Sequence, residues 1–239
     1  MRGVFRIGVI GLVLLSKTTG FLHAETSAFV YLALGASDAT GVGAGSVAQG
    51  YVFLIKQELD KLVPRVELIN LGVSGARVDI VKEEARRVKD AQKSADLVTI
   101  WVGANDVVHG DDPELFRKDL HFIMQILREH VSPTIVIGNL PDLSRLPRFR
   151  NQPSPHVTGE RIQAYNAVIE EEAHDAGASV ADLFGQALRD DLVFHSDGFH
   201  PNDAGHREIA TLFLNAIRRK IHASMSFEFT AMPLGQLTD

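Results

Sequence analysis

The sequence contains no cysteine among its 239 residues. Disulfide bonds, thiol nucleophiles and thiolate metal ligands are therefore excluded. Ten histidines are present, and two of them, His195 and His200, lie near Asp197 and Asp203. Pro201 makes this turn rigid, and the other histidines complete no ligand pattern, so neither a metal nor another cofactor is expected.

Charge of one sign is not concentrated anywhere in the chain. The 24 Lys and Arg residues are scattered among 30 Asp and Glu residues, which leaves a net charge of -6. A nucleic-acid partner is not expected, because such proteins carry a basic stripe or patch. A neutral or small substrate agrees better with this composition.

The apolar run near the N-terminus, residues 7–15, is too short to span a bilayer. Two arginines precede it, and a polar stretch ending at Ala24 follows, a pattern typical of a secretory signal peptide. Residues 1–24 are therefore predicted to be a signal peptide, and the protein to be secreted or extracytoplasmic. A signal anchor remains open, because Leu22 is a poor residue two places before a cut after Ala24. Membrane contact would then come only from this uncleaved segment.

No linker rich in proline, glycine or serine divides the rest of the chain. With 45% hydrophobic residues, residues 25–223 can bury one sizeable core and are predicted to form one domain. Residues 224–239 show no clear period and are left as a tail of unknown conformation. The sequence does not indicate the oligomeric state.

Short apolar runs alternate with amphipathic segments after the leader. The runs are apolar on both faces, as in buried parallel strands, and the intervening segments have helical spacing. This alternation predicts an α/β fold with a five-stranded parallel sheet and helices on both faces. The predicted strands are 28–35, 65–73, 95–103, 133–140 and 178–184, and the predicted helices are 47–62, 78–89, 113–130, 159–176 and 203–221.

Ligands of an open parallel sheet bind beyond the carboxyl ends of its strands. Ser37 follows the first predicted strand, Gly75 the second and Asn105 the third. Asp197 and His200 lie three residues apart on a predicted turn before the last helix. The carboxylate of Asp197 can bind imidazole Nδ1 and leave Nε2 free to activate a serine. The backbone N–H groups of Ser37 and Gly75 and the amide of Asn105 could then stabilise an oxyanion.

Four short segments, "GASDATG", "NLGVSGA", "GAND" and "DGFHPN", occur in this order between Gly35 and Asn202. They resemble the four signature blocks of the SGNH/GDSL hydrolase family. The resemblance implies a three-layer α/β/α sandwich, flavodoxin-like in topology, and hydrolysis of acyl or acetyl esters without a metal. It also implies which residues act: the catalytic triad would be Ser37, Asp197 and His200, and the oxyanion donors Ser37, Gly75 and Asn105.

The first block departs from the family pattern, which usually reads Gly-Asp-Ser. Here Ala36 precedes the serine and Asp38 follows it. We expect this difference to affect the tuning of the site more than the class of reaction, since the hydroxyl, the base and its carboxylate partner are all present. A catalytically weak or inactive protein that binds carbohydrate or lipid at the cell surface is the alternative.

Two other motifs offer rival interpretations. Ser74 lies between glycines, as in an α/β-hydrolase elbow, but Ala76 stands where that motif requires glycine. "GVGAGS", residues 41–46, resembles a dinucleotide fingerprint but lacks its last glycine and begins six residues after the strand. Ser74 is therefore predicted to be a loop residue, and residues 41–46 are predicted to form a flexible loop. A nucleotide-binding protein is retained only as a third hypothesis.

A long loop after the fourth strand, residues 139–160, contains four prolines. Loops of this length near a site often form lids or walls. Leu143, Leu146 and Phe149 are therefore predicted to line a pocket for the acyl or alcohol group. The ester itself stays open: short acyl esters, lysophospholipids, thioesters and acetylated polysaccharides all agree with the predicted site.

Overall fold

The computed structural model describes residues 28–132, 134–185 and 189–231. The predicted leader, residues 1–24, lies outside the described residues. So does the end of the predicted tail, residues 232–239. In the described ranges no helix is both long and apolar enough to cross a bilayer.

A five-stranded sheet forms the centre of the fold, with strand order β2-β1-β3-β4-β5. Every neighbouring pair is parallel, which confirms the predicted sheet. β1 occupies the position where the strand order reverses, and its C-terminal Gly35 pairs with Gly72 and Trp101. The strands are β1 Phe29–Gly35, β2 Val66–Gly72, β3 Leu97–Trp101, β4 Ile135–Gly138 and β5 Ser179–Ala181.

Helices cover both faces of the sheet and complete the three layers. One core lies between the sheet and α2, α4 and α6, and the other lies between the sheet and α1 and α7. β3 is buried along its whole length, as its continuous apolar run predicts. The helices are α1 Tyr51–Leu59, α2 Val78–Asp90, α3 Ala104–His109, α4 Pro113–Ile126, α5 Pro147–Asn151, α6 Gly159–Asp175 and α7 Asp203–Ala231.

Local chemistry explains where α4 begins. α4 begins with Pro113 at its first position, and the side chain of Asp112 accepts a hydrogen bond from the backbone N–H of Glu114. A π-helical turn, Leu127–Val131, follows α4. The predicted helix 47–62 is divided into a 3₁₀ turn, Val47–Gln49, and α1.

Candidate active site

The segment after β1 holds Ser37 in a tight turn. β1 can approach its neighbour closely because Gly35 has no side chain: a β carbon there would lie 2.7 Å from the carbonyl oxygen of Trp101. The carbonyl of Ser37 accepts hydrogen bonds from the backbone N–H groups of Thr40 and Val42 and from the Thr40 hydroxyl. Ser37 is only 6% exposed, and it lies beyond the carboxyl end of β1.

The turn before α7 orients a histidine by several bonds to one carboxylate. Asp197 Oδ2 lies 2.6 Å from His200 Nδ1. Asp197 Oδ1 accepts the backbone N–H groups of Phe199 at 2.8 Å and of His200 at 3.0 Å. Gly198 has a φ of +63°, and a β carbon there would lie 2.9 Å from the backbone nitrogen of Arg148. Glycine therefore permits both the turn and its contact with α5.

The segment after β1 and the turn before α7 meet beyond the carboxyl ends of the strands. Ser37 Oγ lies 2.8 Å from His200 Nε2, although the residues are 163 positions apart in the chain. Gly43, with a φ of +90°, packs on the histidine turn, and a β carbon there would overlap the carbonyl oxygen of Pro201 and lie 3.1 Å from His200 Cβ. The hydroxyl, imidazole and carboxylate thus form one continuous chain of hydrogen bonds.

Two carboxyl groups near His200 have opposite pKa changes. Partial burial raises the pKa of Asp197, but the hydrogen bonds from His200 and from two backbone N–H groups together lower it by more. The pKa of Asp197 therefore lies below its ordinary value. Burial raises the pKa of Asp38 to about 6, although the positive charge of His200 opposes this. Asp197 therefore remains ionised beside the imidazole, whereas Asp38 titrates near neutral pH.

The segment after β2 carries the second predicted oxyanion donor, Gly75. Its φ is +78°, and a β carbon built on it would meet nothing within 4 Å. The space where a side chain would lie is therefore free for a ligand. Among the described residues, the backbone N–H groups of Gly75 and Ser37 have no hydrogen-bond acceptor. Both donors are unpaired at the sheet edge.

Asn105, the third predicted donor, lies in the first turn of α3. Its Nδ2 donates to the carbonyl of Ala76 at 2.9 Å. An amide nitrogen carries two hydrogens, so one donor remains after this bond. The bond also ties α3 to the residue next to Gly75.

Sequence reasoning missed a buried histidine that supports the Ser37 segment. His206, which is fully buried in α7, accepts the backbone N–H of Tyr51 at Nδ1, and its Nε2 lies 3.0 Å from the carbonyl of Val42. The proton therefore lies on Nε2. Burial lowers the pKa of His206. The only available signal was a histidine in the buried pattern of the last helix.

The pocket predicted for residues 139–160 is wrong for the three side chains named. Leu143 is 2% exposed, Leu146 1% and Phe149 6%, and all three pack in the core that includes α4 and α6. The segment is not an irregular loop, because it contains a 3₁₀ turn, Leu143–Arg145, and α5. Its apolar residues point inward, and Phe149 packs edge-on against Phe199, next to His200.

The rival motifs have structural surroundings of their own. Ser74 is exposed and makes no hydrogen bond to a histidine within the described ranges. Within residues 41–46, Gly45 contacts the start of α7: its backbone N–H donates to Asp203 Oδ1 at 2.7 Å. Within the same ranges, no cluster of three or more His, Asp or Glu side chains is arranged to hold a metal ion.

The chain matches the model of the GDSL-like lipase/acylhydrolase family over residues 33–208. Its fold resembles the psychrotrophic esterase EstA from Pseudoalteromonas sp., with a TM-score of 0.64 and 17% identity over 81% of this chain and 99% of that chain. It also resembles the lipase/acylhydrolase from Enterococcus faecalis, with a TM-score of 0.64 and 22% identity over 80% and 96% of the two chains. It resembles an acetyl xylan esterase, AlAXEase, with a TM-score of 0.62 and 22% identity over 79% of this chain and 99% of that chain. No curated protein matches the chain.

The structural neighbours agree with the three-layer fold, and the family match covers more than half of the chain. That match also spans Ser37, Gly75, Asn105, Asp197 and His200. The chain therefore belongs to the GDSL-like lipase/acylhydrolase family and is a carboxylic ester hydrolase.

Proposed function

We propose that this protein hydrolyses carboxylic esters through a Ser37-His200-Asp197 triad. The observation that carries the proposal is the unbroken hydrogen-bond chain, 2.8 Å from Ser37 Oγ to His200 Nε2 and 2.6 Å from His200 Nδ1 to Asp197 Oδ2. Neutral His200 then holds its proton on Nδ1, and Nε2 is free to accept the serine proton.

The reaction proceeds in two halves. Ser37 Oγ attacks the ester carbonyl while His200 Nε2 takes the hydroxyl proton, and Asp197 stabilises the imidazolium that forms. His200 then gives that proton to the oxygen of the leaving alcohol, and the acyl group stays on Ser37. In the second half, His200 takes a proton from a water molecule, whose oxygen attacks the acyl carbon. The proton then passes from His200 to Ser37 Oγ as the carboxylic acid leaves.

The oxyanion donors in this proposal are the N–H groups of Ser37 and Gly75 and the second amide hydrogen of Asn105. Two of these are backbone groups without an acceptor among the described residues, and the open space where a side chain of Gly75 would lie supports the approach of a substrate to this residue. Loss of one such donor typically reduces turnover about 100- to 1000-fold. The three donors stabilise charge that exists only in the transition state.

We propose that the substrate is a small acyl or acetyl ester. We also propose that the protein acts outside the cytoplasm, on the basis of its predicted leader. The absence of a side chain at Gly75 and the exposed position of its loop favour an accessible site. An acetyl xylan esterase is among the structural neighbours, so acetylated glycans belong in the first substrate panel together with lipid esters.

The proposal is tested with Ser37→Ala and His200→Ala on a short activated ester. Both variants should lose nearly all turnover while keeping the circular dichroism and melting curve of the wild type. Ser74→Ala is the matched control, because it changes a nearby exposed serine and should retain activity. Turnover that survives Ser37→Ala and disappears in Ser74→Ala would reverse the assignment of the nucleophile.

A further inference from the structure

Asp106 is a buried carboxylate that the proposed reaction does not use. It follows Asn105 in the first turn of α3 and is 1% exposed. Its Oδ1 accepts the backbone N–H of Val78 at 3.0 Å. Its Oδ2 is also buried and has no hydrogen-bond partner among the described residues. A buried carboxylate with one unpaired oxygen is costly for folding, so its presence calls for another explanation.

The bond to Val78 fixes the beginning of α2. Val78 is the first residue of this helix, and the preceding residue, Arg77, makes no capping hydrogen bond with its side chain. Asp106 supplies the missing acceptor from another element, and its negative charge lies at the favourable N-terminal end of the helix dipole. The start of α2 is therefore held by α3.

Two adjacent side chains of α3 form hydrogen bonds with the backbone of the segment that follows Gly75. Asn105 Nδ2 donates to the carbonyl of Ala76, and Asp106 Oδ1 accepts the N–H of Val78, two residues further on. These contacts form a clasp, defined here as the Asn105–Ala76 and Asp106–Val78 hydrogen bonds. Gly75 has a left-handed φ, and a β carbon built on it would contact nothing. The clasp holds the residues that follow Gly75 and so restrains the direction of its N–H.

We propose that Asp106 is a positioning residue for ester hydrolysis, whose carboxylate holds α2 against α3 and thereby fixes the Gly75 N–H relative to the Asn105 amide. This inference rests on the proposed oxyanion site. Asp106 acts through Val78 and the clasp. It does not touch the substrate.

The inference predicts a defect in turnover more than in substrate binding. Asp106→Ala should lower kcat about 10- to 100-fold, since small misplacements of groups in an active site cost up to about 100-fold. KM should change less than about threefold, because the lost stabilisation exists mainly in the transition state. Asp106→Asn retains an oxygen that can accept the Val78 N–H and should recover most of kcat. Asp79→Asn changes a half-exposed carboxylate in the first turn of α2 that makes no hydrogen bond to α3 among the described residues; it is the control and should leave both constants unchanged.

A second variant removes the same hydrogen bond from the other partner. Val78→Pro deletes the donor at the first helical position, where proline is tolerated, and Arg77 already has the extended backbone that proline requires before it. Its kcat should fall as in Asp106→Ala, and the double variant should be no worse than either single variant. This variant decides the question if Asp106→Ala does not fold.

Several outcomes would overturn the inference. They are wild-type kcat in folded Asp106→Ala or in Val78→Pro, additive losses in the double variant, or a rise in KM that accounts for the whole defect. The assay includes Ser37→Ala in parallel. If Ser37→Ala keeps its activity, the proposed function fails; if Ser37→Ala is inactive while Val78→Pro matches the wild type, only the role of Asp106 fails.

Discussion

Replacement of Asp106 by asparagine should change how the stability of the protein depends on pH. Burial raises the pKa of Asp106 from its ordinary value of 3.8 to about 6, with Asp111 adding to the rise and the bond from Val78 and the charge of Arg77 opposing it. The folded protein therefore binds a proton at this site more tightly than the unfolded chain does. Asparagine has nearly the same shape and does not titrate.

The size of the effect follows from the two pKa values. A rise from 3.8 to about 6 corresponds to about 3 kcal/mol, because each tenfold change in proton affinity contributes about 1.4 kcal/mol. For a raised pKa, the stabilisation is fully present below the unfolded pKa and is lost as pH rises through the folded pKa. Relative to Asp106→Asn, the wild type should thus lose about 3 kcal/mol between about pH 3 and pH 7.

The assay is urea unfolding of both proteins at a series of pH values, with the free energy of unfolding obtained by linear extrapolation. The difference between the two curves is the relevant quantity, since it cancels the titrating groups that do not interact with position 106. Any constant penalty for burying the asparagine amide shifts this difference equally at each pH. A difference that stays flat across this range would refute the buried, destabilised carboxylate. An equal pH-dependent difference in Asp79→Asn would refute its assignment to position 106.

Three further predictions concern the surroundings of the site. Gly43→Ala should abolish most ester hydrolysis and lower the melting temperature, because the new β carbon would overlap a carbonyl in the turn after His200; wild-type kinetics would show that the two segments are not interlocked. His206→Leu should lower kcat with little change in KM in steady-state assays, because it removes the hydrogen bond to the Val42 carbonyl; a change in KM alone would contradict this role. Asp38→Asn should remove a fall in the free energy of unfolding between about pH 4 and pH 6, because burial raises the pKa of Asp38 to about 6 and the stabilisation by its bound proton is lost as pH rises; an unchanged pH dependence in urea unfolding would argue against the buried state of this carboxyl.

The sheet could be predicted from the sequence because buried parallel strands are apolar on both faces. β1 and β3 appear as continuous runs of apolar residues, and the longer helices repeat with helical spacing. α3 and α5 were not predicted, because six and five residues are too few to establish a period. Leu143 and Leu146 were misinterpreted for a related reason, since apolar residues between prolines do not reveal whether they face a pocket or the core.

The sequence indicates candidate residues for the site but not the residues that support them. The order of the four blocks, with the first three after strands and the fourth before the last helix, indicated Ser37, Gly75, Asn105, Asp197 and His200. The role of Asp106 could not be predicted, because its partner, Val78, lies 28 residues away and is bound through its backbone. A backbone partner leaves no trace in the side-chain pattern.

The most direct test of the proposed mechanism is labelling with a fluorophosphonate probe, followed by peptide mapping by mass spectrometry. The proposed mechanism predicts one phosphonylated residue, Ser37, in the wild type, and greatly slowed labelling in His200→Ala. Ser37→Ala should not be labelled. Labelling of Ser74, or equal labelling of the wild type and Ser37→Ala, would contradict the assignment of Ser37 as the nucleophile.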